Sequence, residues 1–403
     1  MSATTTGDRT GLLPRNAPAQ PTTAASLETV LATVRRHAAR TDHEAAFPAA
    51  ALAEIRRSRL LGLLVPTTYG GSGGTLPDML DVASRLSREC MSVGMVFAMH
   101  CQQVAAVVHH GGDRLRDELL PAVARGDLYL ASVTTEAGTG GHLLTSETAL
   151  TGGPEHLHID RTAPVVTGGS HADGFLITTQ APDATSPHQV SLIYAHRSQI
   201  DVTPTGNWNP LGMRGTDSRP LRLVGSVPAH QVVGKHGGFR DITVRTFAPL
   251  AHLGWSSCWL GTATGALSRT LAWLRSPGER RRRDLRSELL LGRLATVRQR
   301  LETTHALIRH AADVYRAGDR DPTTPAVQTL LNTVKVTASE QCFAAVDELV
   351  ELAGLRHGYQ RDAPLALERA WRDLRSASLN YSNDRLRLAN GTLTLMDQEV
   401  SYA

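Results

Sequence analysis

Residues 372–385 read RDLRSASLNYSNDR, an Arg-Asp-x-Arg cluster followed by Ser376, Ser378, Asn380, Tyr381, Ser382, Asn383 and Asp384. So many small polar side chains do not pack a core, because buried polar groups need partners. They do not cap a helix more than once either. The stretch is expected to face a ligand. Residues 133–143, VTTEAGTGGHL, leave a strand through alternating glycines. Such a loop brings backbone close to a ligand, and its N–H groups suit an anion or a flat polar ring. Residues 163–177, APVVTGGSHADGFLI, set Thr167 between a β run and Gly168-Gly169. Residues 209–234 carry an Arg214-Gly215 step before a strand, then Val227-Pro228. Taken singly, each of these also reads as a plain turn.

The elements that must position these stretches change character along the chain. From about 26 to 130 apolar residues recur at three to four, as in SLETVLATVRRHAAR and FPAAALAEIRRSRLLGLLV, which predicts helices. A glycine-rich turn over PTTYGGSGGTLPDML precedes a helix starting near Pro77, and another helix ends at Gly111-Gly112. From 131 to about 237 short β-branched runs alternate with Gly, Pro, Asn and Asp, predicting an antiparallel β subdomain. From 238 onward long helices return. One places Leu290, Leu294, Val297 and Leu301 on one face; the next runs through Leu331, Val334 and Cys342 and stops at Gly354. Segregated helices and strands make this an α+β chain.

The totals bound the function classes. The 403 residues suffice for a large core, with 41% hydrophobic and 20% charged residues. Aromatic residues are only 4%, so the core rests on Leu, Val and Ala. No run is expected to reach the ~18 apolar residues of a membrane helix. Residues 1–25 lack the pattern of a secretory signal and read as a disordered leader. Cys90, Cys101, Cys258 and Cys342 lie far apart, which argues against a zinc site or disulfide framework and for a reducing cytoplasm. All but two of the 42 basic residues are Arg, and Lys235 and Lys335 are the exceptions. The one dense basic run, GERRRRDLR, has no interleaved aromatics, so neither nucleic acid nor membrane is an expected partner.

In their order these stretches resemble the acyl-CoA dehydrogenase superfamily, over about 26 to 395. VTTEAGTGG is similar to its Thr-Glu-Pro-Gly-Ala-Gly-Ser-Asp loop, VVTGGSHAD to the segment whose Thr meets the flavin, and LGMRGTDSRPLRLVGSVPAHQVVG to its Gly-x-Arg-Gly-Ser strand pair. LLGLLVPTTYGGSGGTL and AGLRHGYQRDAPLALERAWRDLR resemble further segments. The resemblance implies an N-terminal helical domain (26–130), a middle antiparallel β domain (131–237) and a C-terminal four-helix bundle (238–403). It also implies FAD, or FMN in a two-component monooxygenase. By position, Thr135 and Thr167 would hydrogen-bond the flavin ring beside Thr134 and Val165. Gly138, Gly140 and Gly141 would admit it closely, and Asn383 and Arg385 would extend that surface. Arg280, Arg281 and Arg282, with Gly354 and Gly358, would meet the diphosphate of a neighbouring subunit, which requires a homodimer or homotetramer.

The family's catalytic Glu falls on Tyr381, and Tyr is a poor base with an ordinary pKa of ~10. A second base location falls on Gly254, with Trp255 where an Arg is usual. Asp384 or His100 would then stand in as base, although His100, like His252, also reads as a core histidine. Three functions stay open. The first is two-electron oxidation of a small substrate, free or thioester-linked to CoA or a carrier protein, with hydride passing to flavin N5 and electrons to an electron-transfer flavoprotein. The second is a flavin-dependent monooxygenase fed by a flavin reductase. AWRDLRSASLN and the Thr-Asp-Ser of LGMRGTDS are similar to that branch, and Ser378, Asn380 and Tyr381 would be its pocket donors. The third is a catalytically silent flavoprotein scaffold.

Overall fold

A computed structural model describes residues 24–138, 142–361, 363–397 and 399–403. The expected leader lies almost wholly outside them, as do Gly140 and Gly141. Five helices come first: α1 (Ala24–Glu44), α2 (Ala49–Arg57), α3 (Leu76–Glu89), α4 (Met91–His110) and α5 (Asp113–Arg125). The start of α3 follows from its sequence. Thr75 and Asp78 form a capping box in which the Thr75 amide donates to the Asp78 carboxylate at 2.7 Å. By length and composition α4 is apolar enough to cross a membrane, which corrects the expectation that no run is. In the fold, 94% of its most apolar window is buried, as in a core helix.

Eight strands follow: β1 (Leu130–Val133), β2 (Thr151–Gly152), β3 (His156–Ala163), β4 (Gly174–Gln180), β5 (Val190–His196), β6 (Ile200–Pro204), β7 (Leu221–Pro228) and β8 (Val232–Val233). They form two four-stranded sheets, ordered β1-β4-β5-β8 and β2-β3-β7-β6. The expected all-antiparallel pairing is corrected at one place. β1 pairs parallel to β4, Leu130 opposite Gly174, because the chain crosses through β2 and β3 of the other sheet before returning. Along β3 Leu157, Ile159, Arg161 and Ala163 are buried and their neighbours exposed, the alternation of a half-buried strand.

Helices then resume as α6 (Phe239–Ile242), a π-turn (Thr243–Phe247), α7 (Ala248–Leu274), α8 (Pro277–Arg282), α9 (Glu288–Ala317), α10 (Pro325–Gly354), α11 (Leu367–Arg375) and α12 (Asn383–Met396). Central among them, α7 is buried on nearly every face and packs on α3, α4, α9 and α10. Glycine makes the α3 contact possible. A Cβ on Gly261 would stand 2.2 Å from the Ser84 carbonyl oxygen. α10 ends at Gly354, where its sequence predicts, with φ +70°, and the chain passes directly into a short π-helical segment, Leu355–Tyr359.

Candidate active site

Between the sheets, the π-turn with α7, and the α11–α12 segment lies a cavity of about 890 Å³, within the size range of small-molecule sites. On the sheet side it is lined by Thr134, Thr135, Val165, Thr167, Thr216 and Ser218. The Thr135 hydroxyl donates to the Val165 carbonyl at 2.9 Å and accepts from the Val165 amide at 3.2 Å. Thr167 Oγ1 lies 2.9 Å from Ser218 Oγ; Ser218 donates to Thr216 at 2.8 Å, and Thr216 donates to the Met213 carbonyl at 2.8 Å. Thr216 stands between Met213 (φ 55°) and Asp217 (φ 43°), and Ser218 follows. Two non-glycine residues in the left-handed region are strain that the surroundings must hold. One restraint is Asp373, whose Oδ1 accepts from the Met213 amide at 2.6 Å. Burial pushes that carboxyl up to about 6.

The glycine-rich loop is anchored from behind by a buried ion pair, Arg161 to Glu136 at 2.6 Å, and Arg161 also donates to the Thr135 carbonyl at 3.0 Å. Arg161 occupies an inward position of β3, so this charge is buried only because Glu136 meets it. Gly138 is not in the lining. A Cβ there would sit 2.1 Å from the end of the exposed Glu147 side chain, which is free to swing aside.

On the helical side the cavity is lined by Asn380, Tyr381, Ser382 and Arg385. Tyr381 adopts φ 52°, and its carbonyl accepts from Lys335 Nζ at 2.8 Å. Lys335 also donates to Asn383 Oδ1 at 2.8 Å, and Asn383 Nδ2 reaches Ser339 and Glu340 at 3.0 Å each. Fully buried, the Lys335 ammonium is pushed down to about 7 by desolvation. Asn383 is therefore buried scaffold rather than a cofactor contact, which corrects its assignment. From α7, His252 and Trp255 join the lining. Burial and the Lys335 charge push His252 down to about 4, so it is a neutral imidazole, and Nδ1 has no hydrogen-bond partner among the described residues.

Arg372 joins the walls. It donates to both Asp42 oxygens at 3.0 and 2.6 Å, to Glu368 at 2.8 Å and to the Leu211 carbonyl at 3.0 Å. The Arg-Asp pair thus clamps α1, the 211–213 loop and α11 together.

Neither proposed substitute base is in place. His100 is fully buried, with Nε2 on the Leu61 carbonyl at 2.9 Å and Nδ1 accepting from the Leu130 amide at 3.0 Å. Both nitrogens are occupied by backbone, and burial pushes the ring down to about 4. Asp384 has a side chain 90% exposed and pairs with Arg387 at 3.2 Å. The helix begins only at Asn383, so the three-residue step from Tyr381 is not a helical turn. Tyr381 itself is held protonated, its phenol pushed up by burial. Among the described residues, no Asp or Glu lines the cavity.

Arg280, Arg281 and Arg282 lie on α8, outside the lining, as do Gly354 and Gly358. Arg283 lies over the Trp273 ring at 4.9 Å, and Trp273 meets the His357 ring at 5.0 Å. Sequence reading missed the scaffold role of Lys335 and the place of Ser218. The rarity of lysine was the signal for the first, while nothing local marks the second.

The model of the acyl-CoA dehydrogenase N-terminal domain matches residues 22–127, and that of the C-terminal domain matches residues 240–380. The chain belongs to the acyl-CoA dehydrogenase family. Its α+β arrangement is that family's fold, and its relatives divide between two chemistries. It is 24% identical over 349 residues to a dibenzothiophene monooxygenase of Rhodococcus qingshengii, covering 81% of this chain and 82% of that one. It is also 24% identical to an acyl-CoA dehydrogenase of Bacillus subtilis, covering 85% and 88%. Among solved structures, an FMN-bound dibenzothiophene monooxygenase from Paenibacillus sp. A11-2 superimposes with a TM-score of 0.82 at 22% identity, covering 92% of this chain and 96% of that one. For this acyl-CoA dehydrogenase-family chain, the low identity of that structure establishes shared fold alone.

Proposed function

We propose that this acyl-CoA dehydrogenase-family chain is a flavin-dependent monooxygenase acting on a small, largely apolar substrate. The observation that carries the reading is the missing carboxylate. Abstraction of an activated C–H proton needs a base with a matched pKa within reach, and among the described residues this cavity offers a protonated Tyr381 and no Asp or Glu. The lining fits a flavin. It offers an apolar interior for a flat ring and polar edges at Thr167, Asn380 and Tyr381, with Thr134 and Val165 beside Thr167.

Bound reduced flavin supplies the activation of O₂, of which one atom goes to the substrate and the other leaves as water. The chain's residues exclude water and hold polar groups still. Asn380 and Tyr381 present donors to the interior, and the Arg372 clamp fixes the distance between the two walls. Arg280 to Arg282, with Gly354 and Gly358, would serve a second copy's cofactor, and a flavin reductase would supply the reducing equivalents. The dibenzothiophene monooxygenases among the relatives support this reading.

Oxidation without oxygen insertion is the second reading, and His252 favours it. A neutral imidazole with a free Nδ1 is able to accept a proton. Turnover under ¹⁸O₂ with prereduced FMN or FAD separates the two. Label in the product is the expected result. Anaerobic bleaching of oxidised flavin by an acyl thioester, with no labelled product, would overturn the proposal.

A further inference from the structure

A second cavity, of about 710 Å³, lies where α1, the end of α3, the second half of α7 and residues 361–369 meet. None of Arg280 to Arg282, Gly354 and Gly358 lines it, so the surface that would serve a second copy's cofactor lies elsewhere. Among the described residues, five arginines line this cavity against three carboxylates, and the carboxylates are already taken. Glu89 accepts from Arg35 at 2.9 and 2.7 Å. Asp42 and Glu368 are held by Arg372, which lines the first cavity instead. That leaves Arg88, Arg269 and Arg369 with no ion-pair partner among the described residues.

Within the fold these three meet neutral groups. Arg269 donates to the Leu365 carbonyl at 2.8 Å and to the Arg88 carbonyl at 3.1 Å. Arg369 donates to the Glu89 carbonyl at 3.3 Å, and Arg88 to Ser268 Oγ at 3.2 Å. The Arg88 and Glu89 carbonyls end α3, where a cation is favoured, which accounts for the placing of Arg269 and Arg369. It does not account for the donors left over. A guanidinium carries five N–H groups, and Arg269 Nη2 with Arg369 Nε and Nη1 are unbonded yet not sealed off from the cavity. Burial, then the Arg369 and Arg88 charges beside it, pushes Arg269 down to about 10. Like charges gathered this way call for an anion.

We propose that this cavity binds the phosphate group of a small anionic ligand, held by Arg88, Arg269 and Arg369. A carboxylate has two oxygens and one charge, which one guanidinium fork satisfies. A phosphate monoester has three acceptor oxygens and about −1.5 to −2 charge at pH 7, which suits three guanidiniums with donors to spare. The volume is that of a small-molecule site, so an organic part has room beside Ala38, Ala272 and Ala363. The proposal goes beyond the flavin reading and does not rest on it.

The test is calorimetric titration of the full chain with inorganic phosphate, phenyl phosphate and benzoate. Saturable phosphate binding that weakens as salt rises is expected, with benzoate much the weakest. Phenyl phosphate binding more tightly than inorganic phosphate would make the ligand an ester; equal affinities would make it the free ion. Arg269→Gln and Arg369→Gln are each expected to weaken phosphate binding about tenfold or more, the worth of a charge-assisted hydrogen bond. Should Arg269→Gln fail to fold, Arg88→Gln at an exposed position carries the same expectation. Arg36→Gln, an exposed arginine of α1 outside the lining, is expected to leave binding unchanged. The proposal is overturned if neither phosphate binds, if benzoate binds as tightly as phenyl phosphate, or if Arg36→Gln weakens binding as much as the cavity variants do.

Discussion

On the sheet wall, Thr167, Ser218 and Thr216 pass their protons inward to a backbone carbonyl. On the helical wall, Asn383 and the Tyr381 carbonyl are held from behind by Lys335, while Asn380 and the Tyr381 ring are left on the cavity side. Both walls come from short runs of Ser, Thr, Asn and Asp, and both rely on residues in the left-handed region. The difference lies in what stabilises the strained backbone. On the sheet wall the strained Met213 is held by the Asp373 carboxylate beside a relay of neutral hydroxyls; on the helical wall the Tyr381 carbonyl is held by the Lys335 ammonium. A neutral relay is insensitive to pH over the physiological range, whereas a buried ammonium is not. The contrast teaches that polar composition marks a cavity wall without saying which members face the ligand.

The most severe way to break the comparison is to separate the walls. Arg372 has a side chain 12% exposed and meets two carboxylates that are nearly as buried. Arg372→Ala strands both, and loss of one partner of a buried pair costs about 3–5 kcal/mol. The expected result is a large drop in Tm with loss of flavin retention. Arg372→Lys is expected to recover only part of it, because an ammonium cannot reproduce the fork. A Tm within 2–3 °C of wild type for Arg372→Ala, where 1 kcal/mol moves a domain of this size by about 2–4 °C, would show that the walls are held elsewhere.

Next in size is the charge behind the helical wall. The Lys335 ammonium is pushed down to about 7 in the folded chain, against an ordinary 10.5. Between these values the unfolded chain binds one more proton than the folded one, so this group makes stability rise with pH. Lys335→Met lacks the effect. The wild-type minus variant difference is expected to grow from pH 7 to pH 9.5, by at most ~3 kcal/mol at 1.36 kcal/mol per pKa unit. Denaturant unfolding at the two pH values measures it. A flat difference would mean that Lys335 stays charged, and that the contrast with the neutral relay is smaller than drawn.

Much of the fold could be read in the sequence, because helical and strand periodicities report burial directly. Pro77 near a helix start and Gly354 at a helix end fell where local chemistry put them. The site was readable only at the resolution of segments. Thr134, Thr135, Val165 and Thr167, with Asn380, Tyr381 and Arg385, do line one cavity. Which atoms they leave free was decided by partners remote in sequence. Asn383 is claimed by Lys335, 48 residues earlier, and Thr167 by Ser218, 51 residues later. His100 was removed from contention by Leu61 and Leu130 backbone that its own helix does not predict. Asp384 was misplaced because Tyr381 turns the chain left-handed just before α12 begins, which voids helical spacing across that boundary.

A smaller effect sharpens the helical wall. Tyr381→Phe removes the phenol and keeps the ring beside His252, whose centroid lies 6.3 Å away. The phenol hydroxyl makes no hydrogen bond to another of the described residues, so stability is expected to hold within about 0.5 kcal/mol. Turnover is expected to fall about tenfold, the worth of one hydrogen bond in a dry site. Equal turnover would move the donor role to Asn380.

The smallest effect is the most discriminating. Asp384 is the only carboxylate within three residues of Tyr381, and a general base there would contribute about 10²–10⁴-fold to the rate. Its exposed side chain and its pairing with Arg387 at the surface argue for a helix-start residue instead, where an acidic group is favoured by the backbone N–H groups. Asp384→Asn keeps the size and most of that capping. Stability is expected to change by less than about 0.5 kcal/mol, with rate and pH profile unaltered in steady-state assays. A hundredfold loss with an intact Tm would bring the segment's carboxylate into the cavity during turnover. The helical wall would then be a moving part, and the contrast with the fixed hydroxyl relay would be one of mobility rather than of charge.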